Sequence, residues 1–386
     1  MLIQAVGKKT SRVLRRTGLA LALSAAAAVP MAQAAGDGSG LAAAIAKAIA
    51  ALQQAGQQTQ AAIQKIEAQT QAALGKIIGQ SGGTLGGTLQ QTIATFTLIL
   101  KEANQNYLDP TPGTTSSTVT ISYQGLARTY VVVRPDPATT DAPALILMHA
   151  HGITPQTMAN LARAGRLAHD YGVWVYLPQG ENGKWNEDPS STSKVDDVGF
   201  ISALIDKAVG EDHIDSKRVY AAGYSAGGFM AERLACQLSS RIAGFVAVSA
   251  TLRNSLAAAG ECTPTHTMPA AFMDGTSDLV VPYKGEPSLQ SASAATAFWA
   301  VKNGCTATAM STTVLPQQVK DGTTVAQTSF TQCPAGAANS LYTINGGGHT
   351  WPDSPYSLYT AYLGKTTQNL DATVALWQFL TPYSLQ

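Results

Sequence analysis

At 386 residues the chain can hold one large domain with an appendage, or two ordinary domains. Its 25 Lys and Arg nearly balance 24 Asp and Glu, for a formal net charge of +1, and no basic block lies beyond the N-terminal segment, which excludes nucleic acid as an expected partner. Charged residues make up only 13 % of the chain, against roughly 25 % in ordinary soluble domains, so the surface is polar but weakly charged, as suits an exported protein.

The first residues support export. Lys8, Lys9, Arg12, Arg15 and Arg16 precede an apolar run at 19–29, and Ala32-Gln33-Ala34 supplies a small-x-small cleavage pattern. Residues 1–34 therefore read as a bacterial export signal cleaved after Ala34, with a secreted or periplasmic destination. The apolar run is about half of the ~20 residues needed to span a bilayer, and no cysteine near Ala34 could carry a lipid. Arg15-Arg16 is compatible with both the general and the twin-arginine routes.

Residues 35–108 are rich in Ala and Gln, with Leu41, Ile45, Ile49, Leu52, Ile63, Ile66, Leu74 and Ile77 close to helical spacing. A Gly-rich break at 81–88 separates them from a second stripe, Leu89, Ile93, Phe96 and Leu100. The expectation is a helical hairpin, which serves as a packed spacer or as a device for adhering to a surface. A Pro-, Thr- and Ser-containing linker follows at 109–117.

From 118 to 386 the pattern changes. Short apolar runs rich in β-branched residues at 119–123, 129–134, 144–149, 173–177, 218–222, 245–248 and 270–273 alternate with helical stretches at 158–171, 198–209 and 226–237. This is the signature of βαβ units around a mainly parallel, doubly wound sheet opened by an antiparallel pair.

The most informative segment is 218–236. A strand there runs into Gly223-Tyr224-Ser225-Ala226-Gly227 and then into a helix. GxSxG at a strand-to-helix turn presents the serine on a sharp corner, with glycines where side chains would collide with neighbouring backbone. A serine hydroxyl needs a base to become a nucleophile at neutral pH. In the α/β-hydrolase arrangement the chain order is serine, acid, histidine, and of six histidines only His266 and His349 follow Ser225. His266 precedes the expected acid in a Cys-Thr-Pro-Thr-His loop. His349 sits on the Gly-rich loop Asn345-Gly346-Gly347-Gly348-His349 and is the expected base.

Between them, the strand at 270–273 runs into Asp274-Gly275-Thr276-Ser277-Asp278. Asp274 is read as satisfying turn amides and Asp278 as the carboxylate that orients His349. The tetrahedral intermediate of acyl transfer needs two backbone N–H donors, assigned to Ala226 and, after the strand at 144–149, to Ile153. His149 and His151 fall short of a metal set, because two ligands without a third are too few, and no metal is expected. Tyr224, Trp185, Tyr283 and Trp351 are candidates for lining a substrate pocket, with buried packing as the equal alternative. Asp197 reads as a helix cap.

Cys236, Cys262, Cys305 and Cys333 are the four cysteines. An even number in an exported chain implies two disulfides. Three pairings are open; Cys236–Cys262 with Cys305–Cys333 closes the shortest loops, at roughly 3 kcal/mol each.

Val195-Asp196-Asp197-Val198-Gly199-Phe200, the 218–236 segment, the GTSDLVVPY run ending at Tyr283, Asn303-Gly304-Cys305 and the GGGHTWP run at 346–352 agree in order and spacing with one family. From 118 onward the chain resembles the secreted polyhydroxybutyrate depolymerase and feruloyl esterase-like α/β-hydrolases. The resemblance implies a carboxylic ester hydrolase with the same three residues, no cofactor, and local cysteine pairing. It departs from the family at Asp274-Gly275, where His-Gly is frequent, and at Ala150-His151-Gly152-Ile153, where Leu-His-Gly-Cys is usual. The leading expectation is hydrolysis of poly(3-hydroxybutyrate) or its oligomers through an acyl-enzyme. The alternatives are cleavage of feruloyl or acetyl esters of plant polysaccharide, and a non-catalytic binding protein that works through its helical hairpin.

Overall fold

The computed structural model describes residues 107–356 and 363–385. The export signal and, but for its last two residues, the hairpin expected at 35–108 lie outside them. The architecture below is that of the unit formed by residues 108–355 and 363–386.

Ten strands make one sheet: β1 (Thr114–Tyr123), β2 (Leu126–Pro135), β3 (Ala142–Met148), β4 (Trp174–Pro178), β5 (Ile214–Tyr224), β6 (Phe245–Val248), β7 (Ala270–Gly275), β8 (Met310–Val314), β9 (Thr324–Phe330) and β10 (Asn339–Asn345). Their spatial order is β1-β2-β4-β3-β5-β6-β7-β10-β9-β8. The six central strands, β4 to β10 in that order, are parallel to one another, and the antiparallel pairs β1–β2 and β9–β8 flank them. This is the α/β-hydrolase fold.

Central strands carry apolar residues on both sides because helices cover both faces. Along β3, Ala144, Ile146 and Met148 join the core that holds Phe200, Phe229 and Trp299, while Leu145 and Leu147 turn to the opposite face and are equally buried. Helices α1 (Pro155–Leu161), α2 (Ala164–Tyr171), α3 (Asp197–Glu211), α4 (Ala226–Gln237), α5 (Ala292–Lys302) and α6 (Ala372–Leu380) supply the cover. Phe245 of β6 meets Trp299 of α5 at 4.8 Å between ring centroids, and Tyr220 of β5 meets Trp377 of α6 edge-on at 5.6 Å. No described helix is long and apolar enough to cross a membrane.

Three expectations need correction. β1 begins at Thr114, inside the segment read as a linker, and pairs with β2 from Thr114–Pro135 to Tyr123–Leu126. An edge strand with a half-exposed face does not require the apolar alternation that would reveal it. The helix expected at 158–171 is two helices. Thr154 caps the first, with Pro155 at its start, and Arg163 takes a left-handed conformation (φ 48°) before the second, which Gly172 closes at φ 65°. Finally, Asp197 is not the cap of α3. Asp196 accepts from Gly199 N–H, and Asp197, one residue further on, is buried against Arg128.

Candidate active site

Parallel strands bring their carboxyl ends to one edge, where loops from distant parts of the chain meet. β5 delivers Ser225. Its φ of 54° and ψ of −118° are strained for a residue with a side chain, and the glycines around it explain how the turn closes. A Cβ on Gly223 would stand 2.1 Å from Gly227 O, and one on Gly227 would stand 2.2 Å from Met148 O and 2.8 Å from His149 O. The start of α4 is therefore pressed against the end of β3.

β7 delivers Asp278 and the loop after β10 delivers His349. The two loops touch at Gly275, where a Cβ would lie 2.4 Å from Gly347 O. His349 Nε2 lies 2.9 Å from Ser225 Oγ, and its Nδ1 lies 2.7 Å from Asp278 Oδ2. His349 and Asp278 are buried. The other carboxylate oxygen of Asp278 accepts from Val280 N–H and Val281 N–H, both at 2.8 Å, which fixes the carboxylate in one orientation. With Nδ1–H donating to Asp278, Nε2 is left as the acceptor for the serine proton. The backbone of His349 is held as well: Tyr224 OH donates to its carbonyl at 2.7 Å, and the Tyr224 ring lies 5.3 Å from the imidazole.

Asp274 lies apart from this series. It is 2 % exposed, one of its oxygens has no partner among the described residues, and burial followed by the nearby charge of Asp278 holds its carboxyl well above the usual range. Behind it Glu232 of α4 is fully buried, accepts from Trp299 Nε1 at 3.4 Å, and is pushed up in the same way, chiefly by burial. His266 is also elsewhere, with its two ring nitrogens facing Thr267 O and Ser239 O.

Ala226 is the first residue of α4, so its N–H has no acceptor within the helix. Ile153 N–H lies 3.4 Å from Ala150 O, at the long end of hydrogen bonding. Trp185, Tyr224 and Trp351 are at most 5 % exposed. Each has a polar partner inside the protein: Trp185 Nε1 donates to His149 O, Tyr224 OH to His349 O, and Trp351 Nε1 to Thr373 Oγ1. These three are packing and bracing groups, whereas Tyr283 is partly exposed and pairs with Thr343 Oγ1 at 2.9 Å.

The sequence alone does not show what braces His149. Its Nδ1 lies 2.7 Å from Ala150 O, and its Nε2 accepts from Gly180 N–H at 2.9 Å. Both nitrogens are occupied by protein groups, and among the described residues no cluster of three His, Cys, Asp or Glu could hold a metal. Two disulfides lie further out, Cys236–Cys262 and Cys305–Cys333. The first ties the last turn of α4 to the loop beyond β6.

Residues 180–321 match the model of a phospholipase/carboxylesterase family. Feruloyl esterase B of Piromyces equi is 31 % identical over 241 residues, covering 58 % of this chain and 43 % of that protein. A putative esterase, NocK, of Nocardia uniformis subsp. tsuyamanensis is 26 % identical over 258 residues, covering 62 % of this chain and 74 % of its own length. The bifunctional acetylxylan esterase/xylanase XynS20E of Neocallimastix patriciarum is 29 % identical over 161 residues, 42 % of this chain and 23 % of that protein. The chain thus spans less than half of the feruloyl esterase it matches.

Proposed function

We propose that the protein is a serine carboxylic ester hydrolase that works through an acyl-enzyme on Ser225. The observation that carries this reading is the unbroken series Ser225 Oγ, His349 and Asp278, with contacts of 2.9 and 2.7 Å. Ser225 Oγ attacks the ester carbonyl carbon while its proton passes to His349 Nε2, and Asp278 stabilises the imidazolium without taking its proton. The carbonyl oxygen becomes an oxyanion facing the N–H groups of Ala226 and Ile153. Collapse expels the alcohol, protonated by His349, and water then repeats the sequence in reverse roles to release the acid and restore the serine. The two disulfides support work in an oxidising compartment.

Two substrate classes each have support. The five motifs shared with polyhydroxybutyrate depolymerase-like hydrolases favour poly(3-hydroxybutyrate) or its oligomers. The relatives named feruloyl esterase and acetylxylan esterase favour aryl or acetyl esters of plant polysaccharide. The test incubates the purified protein and Ser225→Ala with p-nitrophenyl esters, hydroxybutyrate polymer, methyl ferulate and acetylated xylan. The expected result is hydrolysis that falls by about 10⁵-fold or more in the variant. Released hydroxybutyrate, ferulate or acetate identifies the class, and equal rates for wild type and variant on every substrate reject the reading.

A further inference from the structure

We propose that His149 is a positioning residue that keeps the Ile153 amide available as an oxyanion donor, by competing with it for the carbonyl of Ala150. The inference rests on the serine-hydrolase reading above and concerns a side chain that takes no part in the Ser225 series.

His149 follows directly on β3, whose last residues abut the start of α4. The loop it begins, 150–153, therefore leaves β3 beside the nucleophile's corner. Within that loop Ala150 O faces two donors. One is the His149 ring at 2.7 Å, and the other is Ile153 N–H at 3.4 Å, which would close a four-residue turn. The short contact belongs to the ring and the long one to the amide. A backbone amide this weakly engaged gives up little when it turns toward a developing negative charge, whereas a fully bonded one must first break its bond.

The ring can hold this place because every other contact fixes it. Nε2 accepts from Gly180 N–H at 2.9 Å, with Gln179 Nε2 at 3.0 Å, so the proton of the neutral imidazole sits on Nδ1, facing Ala150 O. The residue is fully buried, and its ring lies 4.9 Å from that of Trp185. Trp185 Nε1 in turn donates to His149 O at 2.9 Å. Burial holds the imidazole down at about 4, so it stays neutral across the physiological range. Gly152 N–H bonds Gly183 O at 2.9 Å, so the same segment that receives Nε2 also supports the far side of the loop.

Two substitutions separate the two ring nitrogens. His149→Asn places an amide N–H near the position of Nδ1 and can still donate to Ala150 O. His149→Gln reaches the position of Nε2, can accept from Gly180 N–H, and leaves Ala150 O to Ile153. The expected result, with p-nitrophenyl butyrate as substrate, is a kcat about 100-fold lower for His149→Gln, of the size that loss of one oxyanion donor produces. KM should stay within about twofold, and His149→Asn should recover most of kcat. Thermal midpoints of the two variants should fall by similar amounts. Equal kcat losses in the two variants, or losses that follow the thermal midpoints, would overturn the proposal. A readout independent of turnover is the Ile153 amide, observed by selective ¹⁵N-isoleucine labelling. Its hydrogen exchange should slow in His149→Gln and stay as in wild type in His149→Asn. Unchanged exchange in His149→Gln overturns the proposal even if no ester is cleaved, whereas slowed exchange with no Ser225-dependent hydrolysis overturns the esterase reading alone.

Discussion

Asp278 grips His349 with one carboxylate oxygen, at 2.7 Å, while its other oxygen is capped by the amides of Val280 and Val281. The carboxylate therefore has one way to sit. In Asp278→Asn the amide oxygen is drawn to the two backbone N–H groups, which turns the NH₂ toward Nδ1. Nδ1 must then be the acceptor and Nε2 carries the proton, the wrong tautomer for taking one from Ser225. The expected outcome is a drop in kcat of about 10⁴-fold with an unchanged circular dichroism spectrum. A loss below about tenfold would mean that the carboxylate does not set the tautomer.

The corner at Ser225 depends on backbone contact. Gly227→Ala drives a methyl group into Met148 O, 2.2 Å away, and neither partner is a flexible side chain. Either α4 or the end of β3 must shift, and a misplacement of ~1 Å costs about 10²-fold in rate. Steady-state kinetics on the soluble variant checks this; near-wild-type kcat would show that the two backbones can part freely.

Glu232 ties a buried charge to pH. Burial raises its carboxyl well above the ordinary value, so the folded protein retains a proton that the unfolded chain releases above about pH 4.3. The linked stability is complete below that pH and declines as pH rises toward the folded value. Glu232→Gln keeps an acceptor for Trp299 Nε1 and removes the ionisation. The variant is expected to melt several degrees above wild type at pH 8, with the difference closing at pH 4. Parallel melting curves across that range would count against a protonated Glu232.

Arg128 and Asp197 form an ion pair 2.6 Å apart with almost no solvent exposure, and the guanidinium also lies 3.9 Å from the Phe200 ring centre. Asp197→Ala strands the cation in the core and removes the acceptor for Asn186 N–H. Urea unfolding should show a loss of about 3–5 kcal/mol, and a loss under 1 kcal/mol would imply that water reaches Arg128.

The central strands and the three residues at their ends were legible because their signals are local. GxSxG needs only five positions, and the order serine, acid, histidine leaves few candidates when histidines are scarce. What escaped was partnership at a distance. Nothing in Val195-Asp196-Asp197 says which aspartate caps and which meets a cation 69 residues earlier. β8, Met-Ser-Thr-Thr-Val, is exposed throughout and lacks the apolar alternation that marks a strand. The role of His149 was hidden for the same reason, since Gly180 and Trp185, which hold it, are more than thirty residues away.

The sheet order places β10 beside β7 although β8 and β9 come between them in the chain. In chain order the serine corner precedes the imidazole it needs by 124 residues. A chain truncated before 339 would hold the nucleophile and the acid but have no means of withdrawing the hydroxyl proton. Withdrawal of the Ser225 proton is thereby coupled to the insertion of one strand, β10, between β7 and β9.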